Sequence, residues 1–137
     1  MQWQQICDLS DSGIKQAIHS LHQLSNVNWG VTTTLRLDSN AIPHFDPPEP
    51  VALQALHLDH NLLTRLDGAT PCVASVTLLS ASHNAIASLD GTHAFTGLVY
   101  LVLSHNRITS LCGLRGTALC RTLEVLLIAF NHISSLA

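Results

Sequence analysis

The chain has few charged side chains and few aromatic ones. Of its 137 residues, 11% are charged and 4% are aromatic, whereas 47% are hydrophobic. This composition is the opposite of that of a disordered chain, so we expect one folded domain with a sizeable core. The net charge is −3, and the six basic residues are scattered except for Arg115 and Arg121. Binding to a nucleic-acid backbone needs a clustered basic surface, which disfavours that class of ligand.

Long apolar runs and a secretory leader are also missing. The apolar stretch at residues 123–130 contains Glu124 and is much shorter than the roughly 20 residues that cross a bilayer. The first residues lack a basic segment followed by an apolar run, which is the pattern of a secretory signal. From these two absences we expect an intracellular, cytoplasmic protein without a membrane span.

The cysteines and short motifs point away from metal sites, cofactors and catalysis. No two of the four cysteines form a CxxC pair, so we expect reduced and mostly buried thiols. There is no glycine-rich phosphate loop and no nucleophile elbow, although Ser82 and Ser104 each precede a histidine. The sequence therefore predicts neither a cofactor nor an enzymatic activity.

One pattern recurs five times and is the strongest feature of the sequence. Its copies centre on asparagines that stand 21 to 25 residues apart, namely Asn40, Asn61, Asn84, Asn106 and Asn131. Nearly every copy has apolar residues eight, five and three positions before the asparagine and two and five positions after it, with Thr32 and Ala81 as weak members. The alternation before each asparagine predicts a short strand with one buried face. We expect the asparagines to turn inward as a structural ladder that satisfies unpaired backbone groups.

This pattern resembles LxxLxLxxNxIxxL, the signature of leucine-rich-repeat proteins. The spacing, with Gly68, Gly91 and Gly113 seven residues after three of the asparagines, is similar to the roughly 22-residue subclass found in phosphatase-1 regulatory subunits and axonemal dynein light chains. The resemblance implies an α/β fold: a right-handed solenoid with a parallel concave sheet and an irregular or short helical convex side. Five repeats would occupy residues 31–137, the last of them incomplete.

The two ends of the repeat array are predicted to differ. Residues 1–30 read as an N-terminal capping segment, with a helix at about 12–24 because Ile14, Ile18 and Leu21 recur at helical spacing after a serine- and aspartate-rich N-cap. No such cap follows the fifth repeat, whose strand at residues 123–128 is apolar. We expect a partner, or further sequence, to cover this C-terminal edge.

The outward residues of the strands form the expected binding surface, because repeat proteins usually bind through the concave face. Along the array these residues change from polar to apolar. The candidate partner-binding residues are Leu78, Tyr100, Val102, Val125, Leu127 and Phe130. The alternative is that further sequence folds back over them.

Three histidines directly precede ladder asparagines on adjacent repeats. His60, His83 and His105 should therefore stack about 5 Å apart, as neighbouring strands do. Stacked imidazoles can bind a metal, but no carboxylates that would orient them are apparent, and we predict no metal site.

Together these features predict a non-catalytic scaffold or subunit of a larger intracellular assembly. The resemblance to dynein light chains implies the cilium or cytoskeleton as its location. A regulatory subunit of a protein phosphatase and a ribonucleoprotein component are the alternatives. The low basic content disfavours the ribonucleoprotein.

Overall fold

A six-stranded parallel sheet runs through the computed structural model, which describes residues 5–24, 27–47, 50–66, 71–92, 95–115 and 117–134. Its strands lie side by side in the order of the sequence. They are β1 (Gln5–Asp8), β2 (Thr32–Arg36), β3 (Ala55–His57), β4 (Leu78–Ser80), β5 (Tyr100–Val102) and β6 (Val125–Leu127). One strand per repeat, each stacked in parallel on the next, confirms the predicted leucine-rich-repeat solenoid.

The register of the sheet places equivalent residues of successive repeats opposite one another. Leu35 of β2 pairs with Leu56 of β3, which pairs with Leu79 of β4, and the row continues through Leu101 and Leu126. The members from Leu35 to Leu101 are at most 1% exposed. Because side chains alternate across a strand, the residues on either side of this row point outward. The pairing therefore gives the sheet one buried face and one exposed face.

The ladder asparagines lie where the chain leaves each strand, and each joins two repeats. In Asn106, Nδ2 donates to the carbonyl of Leu103 in its own repeat at 2.9 Å and to that of Ala81 in the preceding repeat at 3.0 Å. Its Oδ1 accepts the backbone N–H of Ile86 at 3.1 Å. The same three bonds recur, shifted by one repeat, at the other four asparagines. The ladder thus satisfies backbone groups that the turns leave unpaired.

The return segments opposite the sheet are irregular, with short helical turns. Pro71–Val73 and Cys112–Leu114 are 3-10 turns, and Leu119–Thr122 forms one turn of α-helix, α1. Gly113 permits a close approach between repeats, since a Cβ at this position would lie 2.7 Å from the backbone carbon of Leu89. No helix in the described segments has the length and apolar character needed to cross a membrane.

The predicted capping helix at residues 12–24 is wrong. That segment is irregular, with bends, an isolated bridge at Ile18 and a 3-10 turn at Leu21–Gln23, and it follows β1, which pairs with β2. In a helix, the backbone groups of this segment would bond to one another. Here they bond to the first predicted repeat instead. Ile14 O accepts the N–H of Ala41 at 2.8 Å, and the N–H of Ile18 donates to His44 O at 2.9 Å.

Residues 5–24 consequently repeat the pattern once more, with a serine in place of the asparagine. The N–H groups of Ser12 and Ile14 both donate to Asn40 Oδ1 at 3.0 Å. Asp11 and Gly13 have φ values of 51° and 71°, which interrupt any helix at its intended start. The apolar residues that suggested helical spacing, Ile18 and Leu21 among them, are buried because the segment packs as a repeat.

Candidate protein-binding surface

The exposed face of the sheet presents two rows of outward side chains. One row contains Ile6, Thr34, Ala55, Leu78, Tyr100 and Val125, which pair across successive strands. The other contains Asp8, Arg36, His57, Ser80, Val102 and Leu127. In this architecture the face is the concave one, and both rows become apolar toward β6.

Two acidic groups beside the polar half of this face, Asp38 and Asp59, are held by internal hydrogen bonds. Asp59 Oδ1 accepts the hydroxyl of Ser80 and the N–H of Ser82, both at 2.7 Å. Asp38 Oδ1 accepts the N–H of Asp59 at 2.8 Å, and its Oδ2 lies 3.4 Å from the Arg36 guanidinium. These carboxylates fix neighbouring turns, which leaves little of their hydrogen-bonding capacity for a partner.

The apolar half is different because its large side chains meet solvent. We call Leu78, Tyr100, Val102, Val125, Leu127 and Phe130 the apolar patch. Tyr100 is 44% exposed, Leu127 is 51% exposed and Phe130 is 75% exposed, while the other three are half-buried. Tyr100 pairs with Val125, and Val102 pairs with Leu127. The structure therefore brings the predicted residues together on strands β4 to β6 and the turn after β6.

A column of stacked rings, which we call the histidine column, borders the patch. His60, His83 and His105 stack with ring centroids 4.2 Å apart, and Phe130 continues the stack 4.3 Å from His105. Adjacent rings are within 8° to 11° of parallel. All four residues have φ between 56° and 58°, so the same left-handed turn aims each ring in the same direction.

The column is not arranged as a metal site. In the segments that the structure describes, no group of three or more histidine, cysteine or acidic residues is placed to hold a metal ion. The nitrogen lone pairs of rings stacked face to face lie in nearly parallel planes, so they do not converge on one metal position. Desolvation lowers the pKa of His83, and charge on His105 and His60 lowers it further, whereas the Asp59 carboxylate acts in the opposite direction.

Sequence reasoning missed two parts of this surface. It left out β1, which adds Ile6, with 62% of its area exposed, and Asp8 to the two outward rows. The sequence does contain a signal for this additional repeat: around Ser12, Cys7 stands five residues before, Leu9 three before and Ile14 two after, as in the other copies. Sequence reasoning placed Phe130 at the repeat position of His83 and His105, but it missed that the ring of Phe130 stacks on His105 and so continues the histidine column.

Comparison with known proteins finds leucine-rich-repeat relatives. Human podocan-like protein 1 is 33% identical over 88% of this chain, and its mouse counterpart is 37% identical over 64% of it. Pig fibromodulin is 30% identical over 72% of the chain, which spans 66% of the fibromodulin sequence. The chain spans only 26% and 17% of the human and mouse podocan-like proteins. No protein-family model and no solved structure matches the chain.

These relatives overturn the predicted location. Podocan-like protein 1, lumican and fibromodulin are secreted proteins of the extracellular matrix, so the expectation of a cytoplasmic, ciliary or cytoskeletal protein is wrong. The sequence argument relied on the first residues of the chain, which do not decide the location. The same relatives are proteoglycan-like and not enzymes.

The relatives do not bear on the roughly 22-residue subclass, which stays a prediction. What they share with this chain is the repeat itself, which the structure displays as stacked strands and an inward asparagine ladder. Sequence pattern, sheet topology and relatives agree, and the chain is a leucine-rich-repeat protein.

Proposed function

We propose that this chain is a protein-interaction scaffold of an extracellular assembly, and that the apolar patch receives an apolar segment of its partner. The observation that carries the proposal is the exposure of Tyr100, Leu127 and Phe130 side by side on the concave face. Exposed aromatic and large aliphatic side chains are the usual anchors of protein interfaces. The polar half of the same face offers no comparable group of anchors.

The size and chemistry of the patch favour a protein partner. Six large side chains on neighbouring strands expose an apolar surface on the order of several hundred Å², the size at which such a surface marks an interaction site. None of the six patch residues carries a charge at neutral pH, and the nearby Asp59 carboxylate is already bonded to Ser80 and Ser82. An uncharged, apolar partner segment fits this chemistry best.

A second part of the proposal concerns the outer side of β6. Leu126 and Ile128 are half-buried, although the corresponding Leu101 and Leu103 of the preceding repeat are 0% exposed. In the described segments, β6 pairs with β5 alone. We propose that protein surface also covers this edge, because apolar side chains and open backbone groups together favour association.

Capture from an extracellular-matrix extract, followed by quantitative mass spectrometry, tests the patch. The parent chain is compared with a Val102→Glu, Leu127→Glu double variant, which places two charges in the patch. Ala55→Glu is the matched control, because Ala55 has the same orientation on β3 in the polar half. We expect proteins that the parent and the control retain to be lost by the double variant, with unchanged circular dichroism in all three. Equal retention by the double variant would place the interface elsewhere.

The outer side of β6 is tested by sedimentation of the 137-residue chain. We expect self-association at tens of micromolar, and a monomer once a polar capping repeat is appended. If the uncapped chain is a stable monomer, the proposal for this edge fails and the apolar patch alone carries binding.

A further inference from the structure

The histidine column is a cluster of ionisable groups that the proposed function does not explain. Three solvent-exposed imidazoles lie face to face with centroids 4.2 Å apart, a distance at which two protonated rings repel each other even though water screens their charges. Neutral imidazoles, in contrast, stack favourably. The geometry alone therefore ties the arrangement of the rings to their protonation.

The backbone keeps the rings from moving apart freely. Each histidine has a left-handed φ, and its N–H donates to a carbonyl of the next repeat: His60 to Ser82, His83 to Ser104 and His105 to Ala129. These bonds measure 2.9 to 3.0 Å. Charged rings therefore cannot separate by sliding one repeat past another, and they reduce their repulsion only by rotating out of the stack or by straining the turns.

The surroundings of the column provide few counter-charges. Asp59, one residue before His60, is the acidic group that acts on His83, and its Oδ1 is already bonded to Ser80 and Ser82. The other ionisable groups on the adjoining turns and strand ends are Asp11, Asp38, Arg36, His57, Arg107 and His132. The final ring, Phe130, is uncharged and belongs to the apolar patch.

We propose that the histidine column is a proton-operated switch on the rim of the binding surface: neutral and stacked at neutral pH, charged and destabilised at mildly acidic pH. Histidine is the side chain whose charge ordinarily changes in this range. Charging the column places positive groups against Phe130 and beside the patch, which disfavours an apolar partner segment. This link to binding rests on the proposed function, whereas the switch itself is a property of the isolated chain.

The direction in which acidification changes the stability of the fold follows from the lowered pKa of His83. Its pKa is lowered in the folded chain, so below the ordinary histidine value of about 6.5 the unfolded chain binds the proton more readily. The stabilisation that neutral His83 contributes is therefore complete above that value. It is lost as the pH falls through the lower pKa of the folded state.

Histidine-ring NMR titration of the full chain tests the switch directly. We expect His83 to titrate below the ordinary histidine value of about 6.5. His22, an exposed histidine on the Leu21–Gln23 turn, is the control position. In the variants His105→Gln and His60→Gln, which remove a neighbouring charge, the His83 titration should move to higher pH. His22→Gln is the matched control and should leave it unchanged. If His83 titrates at the ordinary histidine value and its titration is the same in both neighbour variants, the switch does not exist.

Urea unfolding at several pH values gives an independent readout. The parent should lose more stability on acidification than His83→Gln, which keeps a polar side chain but cannot be protonated. Equal pH dependence in the two proteins would overturn the proposal.

Once a partner has been captured, its binding should weaken on acidification in the parent and less so in the variant. If no protein binds the patch, the proposed function fails while the titration result stands by itself.

Discussion

Replacing Asn106 with alanine removes the bonds that tie two repeats together in the middle of the ladder. The side chain is 5% exposed and forms four hydrogen bonds to backbone groups, three as donor, of which that to Ser104 is the longest at 3.3 Å, and one as acceptor. In the variant, the N–H of Ile86 and the carbonyls of Ala81 and Leu103 each lose this partner. A buried polar group left unsatisfied costs about 1 to 3 kcal/mol, and partial access of water lowers the sum. We therefore expect Asn106→Ala to reduce the free energy of unfolding by about 1 to 3 kcal/mol.

Urea unfolding followed by circular dichroism measures this loss, and Asn84→Ala should fall in the same range because Asn84 makes the equivalent bonds. Asn28→Ala is the control. Asn28 is exposed, and among the described residues its side chain accepts a local bond from the N–H of Gly30. Its replacement should change stability by no more than about 0.5 kcal/mol. If both ladder variants unfold at the same urea concentration as the parent, the asparagines do not carry the structural role inferred for them.

Three further changes probe the packing. Gly113→Ala should cost about 1 to 3 kcal/mol, because the new Cβ would lie 2.7 Å from the backbone of Leu89; an unchanged melting temperature would contradict that close approach. Leu101→Ala, at a fully buried site, should cost about 2 to 5 kcal/mol in urea unfolding, and a loss of only about 0.5 kcal/mol would mean that the inner row of the sheet is not tightly packed. A maleimide should label Cys112 in the native chain and Cys72 only after unfolding, as peptide mass spectrometry can show; equal labelling of the native protein would refute the burial of Cys72.

The repeat could be predicted from the sequence because its signal is periodic. Each inward leucine and each ladder asparagine recurs at a nearly constant spacing, so errors at one position are corrected by the other copies. Ala81 shows this well: it is a weak member of its column, yet it is 0% exposed like its neighbours. The five strands of residues 31–137 follow directly from that register.

The first strand could not be found by the same rule because Ser12 replaces the asparagine. A serine side chain is too short to form the three bonds of the ladder, and here the repeat is held by Asn40, which accepts the N–H groups of Ser12 and Ile14. The apolar residues that follow also fit a helical period. Only the neighbouring repeat, which supplies backbone partners, decides in favour of an extended chain.

The outward residues of the candidate surface could be predicted, whereas the left-handed turns that align the rings of the histidine column could not. Alternation along a strand identifies Val102 and Leu127 as outward, and the structure shows them paired. The parallel stacking of His105 on Phe130 depends on left-handed turns at both residues. Non-glycine residues seldom adopt that conformation, so the spacing of the sequence does not reveal it.

Photo-crosslinking from the apolar patch tests the central claim most directly. A benzophenone amino acid is placed at Leu127 in one variant and at Leu62 in another; Leu62 is also an exposed leucine, at 58%, but it lies outside the outward rows of the sheet. Illumination in a matrix extract should join the captured protein to position 127 and not to position 62. A crosslink from position 62 with none from position 127 would contradict binding through the apolar patch.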